Sequence, residues 1–330
     1  MAKEKNKVLK KTSIGGQALI EGVMMKGPHK TAMAVRNPNG EIQIEEFGSA
    51  PLKEKYKILG IPVLRGVVSF IESMLSGYKA LMRSAEISGM DLEEEEPSAF
   101  EQKLMNLFGD KLWKIVMVIA AVLGVALGFL LFMWLPTQLF DLATKIPGAP
   151  EAVKSQVIYR SVFEGILKII IFVVYIILCS QMKEIKRVFQ YHGAEHKSIF
   201  CYEKGLPLTV ENVKIQSRFH PRCGTSFLIL MLILGIVAGL FIPVFTAFNP
   251  VVNSLLRALC KIAILSIVMG VGYELLKLCG RYDNFLTSII SAPGTLMQRL
   301  TTKEPEDDQI ECAIASLLEV IPENAEDDKW

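Results

Sequence analysis

From Ile115 to Leu135 the chain runs for 21 residues without a charge. Wound as a helix, such a run is about 30 Å long, the thickness of a bilayer's hydrocarbon core. Three more apolar runs follow: Val162 to Ser180, Phe227 to Phe248 and Leu259 to Leu278. The second carries Glu164 and Lys168, four apart and able to pair on one helical face, and the fourth carries Glu274 near its far end. Hydrophobic residues make up 51% of the 330-residue chain, and the mean hydropathy is +0.36. Both values exceed what a soluble protein of this length needs for its core. The expected fold is mainly α: a polytopic membrane protein with about four transmembrane helices and a small cytoplasmic α+β N-terminal part.

Charge sets the expected orientation. Met1 to Lys11 is basic but leads into no apolar leader segment, so insertion is expected from the spans themselves. Between the second and third runs lie Lys183, Lys186, Arg187, Lys197, Lys204, Lys214, Arg218 and Arg222, whereas the stretch between the first two holds only Lys145, Lys154 and Arg160. The turn between the third and fourth runs is short, with Arg257. This bias places both termini and the 181–226 loop on the cytoplasmic side. Three regions follow: residues 1–100 as a cytoplasmic β-hairpin and amphipathic helix, 101–280 as the membrane domain with its loop 181–226, and 281–330 as a cytoplasmic helical tail. With the basic residues assigned to topology, a net charge of +2 leaves no nucleic-acid footprint. The six cysteines form no paired framework and four fall on the reducing side, so disulfides are not expected.

Ile14 to Pro28 mixes glycines with short apolar runs. Thr31 to Arg36 and Glu41 to Phe47 alternate as strands joined across Asn37 to Gly40, where an Asn-Gly step suits a tight turn. From Ile61 to Arg83 the apolar period becomes helical but the charges are too many for a span, which suggests a helix lying on the membrane or packed against its neighbours. Glu93 to Pro97 reads as a solvated linker. After the last run come an apolar piece broken at Ala292 to Gly294, a terminal helix from Glu304 to Val320 and a loose acidic tail from Glu323 to Trp330.

Two of the four histidines bracket a glutamate in His192-Gly-Ala-Glu195-His196, an HxxEH pattern. On a helix, positions 192, 195 and 196 share a face, so two imidazoles can chelate one zinc ion while the carboxylate handles a proton. If the helix of the second run continues, Ile185, Phe189, His192, His196, Ile199 and Glu203 recur at steps of three and four, which turns both histidines inward. Buried imidazoles need partners, and either a metal or a hydrogen-bonded pair would serve. A catalytic zinc site needs a third protein ligand. His220 and Cys223, in HxxC spacing, are one source. Glu274 is another, at a spacing like that of soluble inverted zincins, but a straight helix would carry His192 about 18 Å beyond the membrane edge and away from it. Glu203, Asp283, Glu21 and His29 are weaker options. Glu195 would be the general base of amide hydrolysis, or, in a non-catalytic reading, the ion-pair partner of Lys197 or Arg187.

The stretches Gly15 to Pro28, His192 to Lys197 with Tyr202 and Glu203, Leu208 to Asn212, His220 to Phe227 and Leu300 to Pro305 together resemble the YqhQ-like family, bacterial membrane proteins described as metal-dependent enzymes of poorly defined function. The resemblance implies a membrane enzyme with a metal and raises His220 and Cys223 above Glu274 as ligands. It supplies no substrate.

These observations lead to the expectation of a zinc-dependent membrane protease or related hydrolase, with Glu195 catalytic and His192, His196, His220 and Cys223 as metal candidates. Its partners would be membrane lipids and membrane proteins as substrates. A metal-transport module is one competitor, although only Glu164, Lys168 and Glu274 are charged within the runs and they form no chain across the bilayer. A scaffold or assembly factor is the other. No GxxxxGK[ST] sequence is present, so ATP-driven action is not expected.

Overall fold

The computed structural model describes residues 10–47, 56–89, 111–145, 157–243, 245, 247–282 and 284–328. The expected linker at Glu93 to Pro97 and the ligand option Asp283 lie outside them. In chain order the elements are strands β1 (Gly15–Leu19), β2 (Gly22–Lys26), β3 (Thr31–Arg36) and β4 (Ile42–Phe47), then helix α1 (Leu64–Ile87). Next come α2 (Lys111–Phe129), a π turn (Leu130–Trp134), α3 (Leu135–Ala143), α4 (Val157–Cys179), α5 (Lys183–Glu203) and α6 (Val210–Lys214). Last are α7 (Gly224–Gly239), α8 (Pro250–Arg281), α9 (Phe285–Thr301) and α10 (Asp307–Val320).

The chain divides into two compact units. Met1–Met90, Tyr175–Leu234 and Leu265–Trp330 form the first, so the N-terminal region, the loop after the second apolar run and the C-terminal tail fold together. Its centre is a four-stranded antiparallel meander in the order β1-β2-β3-β4. Strand alternation sends Val23, Met25 and Ala32 to one face, where they pack with Tyr191 and Ala194 of α5 and Ile310 and Leu317 of α10. Leu19, Met24, Met33 and Val35 go to the other face, against Ala80 and Ile87 of α1. The β3-β4 hairpin turns where expected: Gly40 takes φ +86°, and the Asn37 side-chain oxygen accepts from the amides of Asn39 and Glu41 at 3.0 and 2.9 Å. The hairpin of β1 and β2 was not expected. Both faces of β2 are covered, so its residues show no polar alternation to read.

Among the described residues, three helical segments are long and apolar enough to cross a membrane: Val118–Ala143, Val157–Cys179 and Val251–Arg281. The expected third run instead forms α7, a helix of 16 residues that ends at Gly239 rather than Phe248. Three of the four expected runs are thus of full spanning length among the described residues, and the third is a shorter apolar helix. The second run also fails to continue into the HxxEH helix. The helix ends at Cys179, and Met182 is extended (φ −70°, ψ 136°) as it opens α5. The straight-helix distance argument therefore does not hold.

Two C-terminal expectations are also corrected. α9 runs unbroken through Pro293, with Gly294 buried tightly against Ser226. The acidic tail is pinned, because the buried Asp328 carboxylate accepts from the Thr12 hydroxyl, from the Ser13 amide at 3.1 Å and from the Tyr202 hydroxyl at 2.9 Å.

The second unit, Asp91–Val174 and Gly235–Ile264, is helical around one buried carboxylate. Glu164 accepts from Lys261 at 2.6 Å and from Arg160 at 3.0 Å; Arg257 lies 3.9 Å away. Its partners thus come from α4 and α8, not from the Lys168 pairing that spacing allowed.

Candidate metal centre

His192, Glu195 and His196 lie on the buried stripe of α5. The small residues between them are a packing requirement: Gly193 lies directly under the Lys303 carbonyl, where a Cβ would collide, and Ala194 is fully buried. Each imidazole is fixed through Nδ1, which faces a carbonyl oxygen and therefore donates. His192 donates to Thr301 at 2.8 Å and His196 to Arg218 at 2.6 Å. These bonds leave the two Nε2 atoms as the ring nitrogens available to an ion, the orientation that backbone carbonyls impose on metal-ligating histidines.

Cys223, in the loop entering α7, completes the group. Nitrogens of His192 and His196 and the Cys223 Sγ all lie within 4.8 Å of one another, with His192 Nε2 at 3.2 Å from the sulfur. Glu195 Oε2 stands 4.0 Å from His192 Nε2. Two buried atoms here have no hydrogen-bond partner, His196 Nε2 and Glu195 Oε2. Leaving such atoms unpaired in a protein interior costs about 1–3 kcal/mol each, and an ion would remove that cost.

The charge state follows from the same closeness. Burial alone would keep the Cys223 thiol protonated, yet the two imidazoles hold it well below the usual thiol range. Burial would likewise neutralise His192, but Cys223 and then Glu195 outweigh it and raise the imidazole to about 9. Glu195 is pushed above the usual carboxylate range by burial, against the pull of both histidines. The pull of both imidazoles on Cys223 favours the thiolate, the form that ligates a metal.

The structure separates the two halves of the HxxC pair. His220 faces Glu203 at 3.5 Å and Arg222 at 3.2 Å, and burial lowers it to about 4. Glu203 in turn accepts from Arg222 and from the Thr12 amide at 2.9 Å. His220 thus braces the Cys223 loop, and its backbone N–H and carbonyl both bond to the Gln298 side chain at 2.7 Å. The other options are engaged elsewhere: Glu274 with Arg65, Glu21 with Arg187 and the Tyr191 hydroxyl, and His29 with Asp327 at the surface. Lys197 pairs with Glu304 and Arg187 with Glu21, so neither neutralises Glu195.

Thr301, Arg218 and Gln298 escaped the sequence reading. Two of them act through backbone carbonyls, which leave no residue-type signal. The group opens on a cavity of about 470 Å³ lined by Gly16 and Gln17 of β1, Ser69, Ser73 and Ser76 of α1, and Glu195, His196 and Cys223.

The chain is 37% identical over 311 residues to the uncharacterized protein YqhQ of Bacillus subtilis (strain 168), covering 93% of this chain and 92% of that protein. No solved structure matches. Residues 61–323 match the model of the family described as "Protein of unknown function (DUF1385)", and the chain belongs to that family, with YqhQ.

Proposed function

We propose that the protein is a zinc-dependent membrane hydrolase acting on amide bonds of membrane-associated proteins. The observation that carries this reading is the convergence of His196 Nε2 and Glu195 Oε2, buried and unpaired, with His192 and Cys223 beside a cavity. Two imidazole nitrogens and a thiolate are a donor set suited to zinc. They would hold the ion, which supplies Lewis-acid polarisation of a substrate carbonyl when bound. Glu195 Oε2 takes a proton from the attacking water. The water oxygen bonds to the carbonyl carbon, the C–N bond breaks, and Glu195 returns the proton to the departing amine.

Chain topology supports four crossings. The three stretches of the first unit form one compact body, so the chain must leave it and return an even number of times between them. α2 with α3 and α4 make one such pair; α8 needs α7 as its partner. At 16 residues α7 is about 24 Å long, a short span that a thinned bilayer accommodates. The lysine and arginine excess supports a cytoplasmic position for the metal centre and for the chain segments on either side of the spans.

A structural metal is the second reading, and one distance favours it: Glu195 is close enough to His192 to serve as a fourth ligand and close the site. The test uses purified full-length protein, with metal content and membrane-protein turnover compared in wild type and Glu195→Gln. Hydrolysis predicts retained zinc and turnover lower by about 10²–10⁴-fold, with uncleaved membrane proteins accumulating in cells. Undiminished turnover in Glu195→Gln would sink the mechanism, and loss of zinc would favour the closed site.

A further inference from the structure

Two helices of the first unit are built inside out. Along α9, Phe285 (83% exposed), Leu286 (65%), Ile289 (51%) and Leu296 (60%) form an outward apolar stripe, while the buried face carries Thr287, Gly294, Gln298 and Thr301 with Met297 as its one large apolar side chain. The inward polar groups are satisfied: Thr287 and Asn284 cap the helix reciprocally, Gln298 bonds the His220 backbone and Ser226, and the Thr301 carbonyl receives His192. α1 repeats the pattern, with Ile71, Met74, Leu75 and Tyr78 exposed and Gly66, Gly77, Ala80 and Ser84 buried, joined by Ile87 at its last turn. A water-facing helix has the opposite arrangement.

We propose that these outward faces of α1 and α9 seat in the lipid of the bilayer interface, so that the helix supporting the metal centre is itself embedded in the membrane surface. Continuity identifies the occupant. α8, long and apolar enough to span, ends at Arg281, and α9 begins only four residues later at Phe285. Tyr282, exposed in the connection, is a residue type that favours the headgroup level. Arg299 is the one charged residue of α9, and with Arg281 it brackets the stripe, as suits anionic headgroups. The inference stands whether or not the metal centre is catalytic.

The test is site-specific photo-crosslinking of the full-length protein in phosphatidylethanolamine and phosphatidylglycerol vesicles. Benzoylphenylalanine replaces Leu286, Ile289 or Met74, with Leu318, exposed on α10, as the control position. All four are surface positions, so folding is preserved. The expected result is a mass increase of one phospholipid at 286, 289 and 74 and none at 318. Cross-linking to a second copy or to another protein in place of lipid, equal labelling at 318, or no lipid adduct at the three positions overturns the proposal.

Discussion

Gly16 of β1 rests against the Glu195 side chain so closely that a Cβ there would stand 2.8 Å from Glu195 Cγ and 2.8 Å from the Met24 carbonyl oxygen. Gly15, its neighbour, has open space around the same position. The edge of the sheet thus clamps the carboxylate of the HxxEH helix. Gly16→Ala should destabilise the protein by about 1–3 kcal/mol, whereas Gly15→Ala should stay within about 0.5 kcal/mol of wild type. Thermal unfolding of the two variants checks this, and equal melting temperatures would remove the clamp.

The metal set can be dissected by four substitutions. His192→Ala, His196→Ala and Cys223→Ser should each abolish or strongly weaken zinc binding, because each removes one of three converging donors. His220→Ala should retain zinc while lowering the melting temperature, since it leaves Glu203 facing a void in a buried network. Metal analysis of purified protein gives the answer. Zinc loss in His220→Ala with an unchanged melting temperature would place His220 among the ligands instead.

Glu203 links stability to pH. Burial acts to raise its pKa, but His220, Arg222 and the Thr12 amide win, and the carboxyl is held below its ordinary value of 4.5. A group depressed on folding contributes stability that is complete above the unfolded pKa and is lost as pH falls through the folded one. Wild type should therefore lose melting temperature below about pH 4.5 more steeply than Glu203→Gln, which lacks the titrating group. Parallel curves would show that the carboxylate's interactions do not favour the folded state.

In the second unit, Glu164 is the shared partner of Lys261 and Arg160, with Arg257 at 3.9 Å. Removing the carboxylate leaves buried cations uncompensated, so Glu164→Gln should cost about 3–5 kcal/mol. Thermal unfolding in detergent measures it. Lys168→Gln, whose ammonium makes no hydrogen bond or close ion pair to Glu164 among the described residues, should cost far less; the reverse order would refute the assignment of partners.

The sequence by itself determined the mainly helical architecture and the helices long and apolar enough to cross a membrane, because long uncharged runs admit few other solutions. It also determined the β3-β4 hairpin, whose Asn-Gly turn is local chemistry, and the inward orientation of His192 and His196, which follows from helical period. Local pattern was silent wherever a partner lies far along the chain. Strand β2 was hidden because burial on both faces erases alternation. Cys223 and His220 share a short HxxC segment, yet one joins the histidine pair and the other turns to Glu203, a division set by packing against α5 and by Gln298 of α9. The carbonyls of Thr301 and Arg218 that orient the imidazoles are invisible to any reading of side chains. Tertiary structure decided these points because each depends on which distant backbone or side-chain atom comes within hydrogen-bonding distance, and sequence spacing does not encode that.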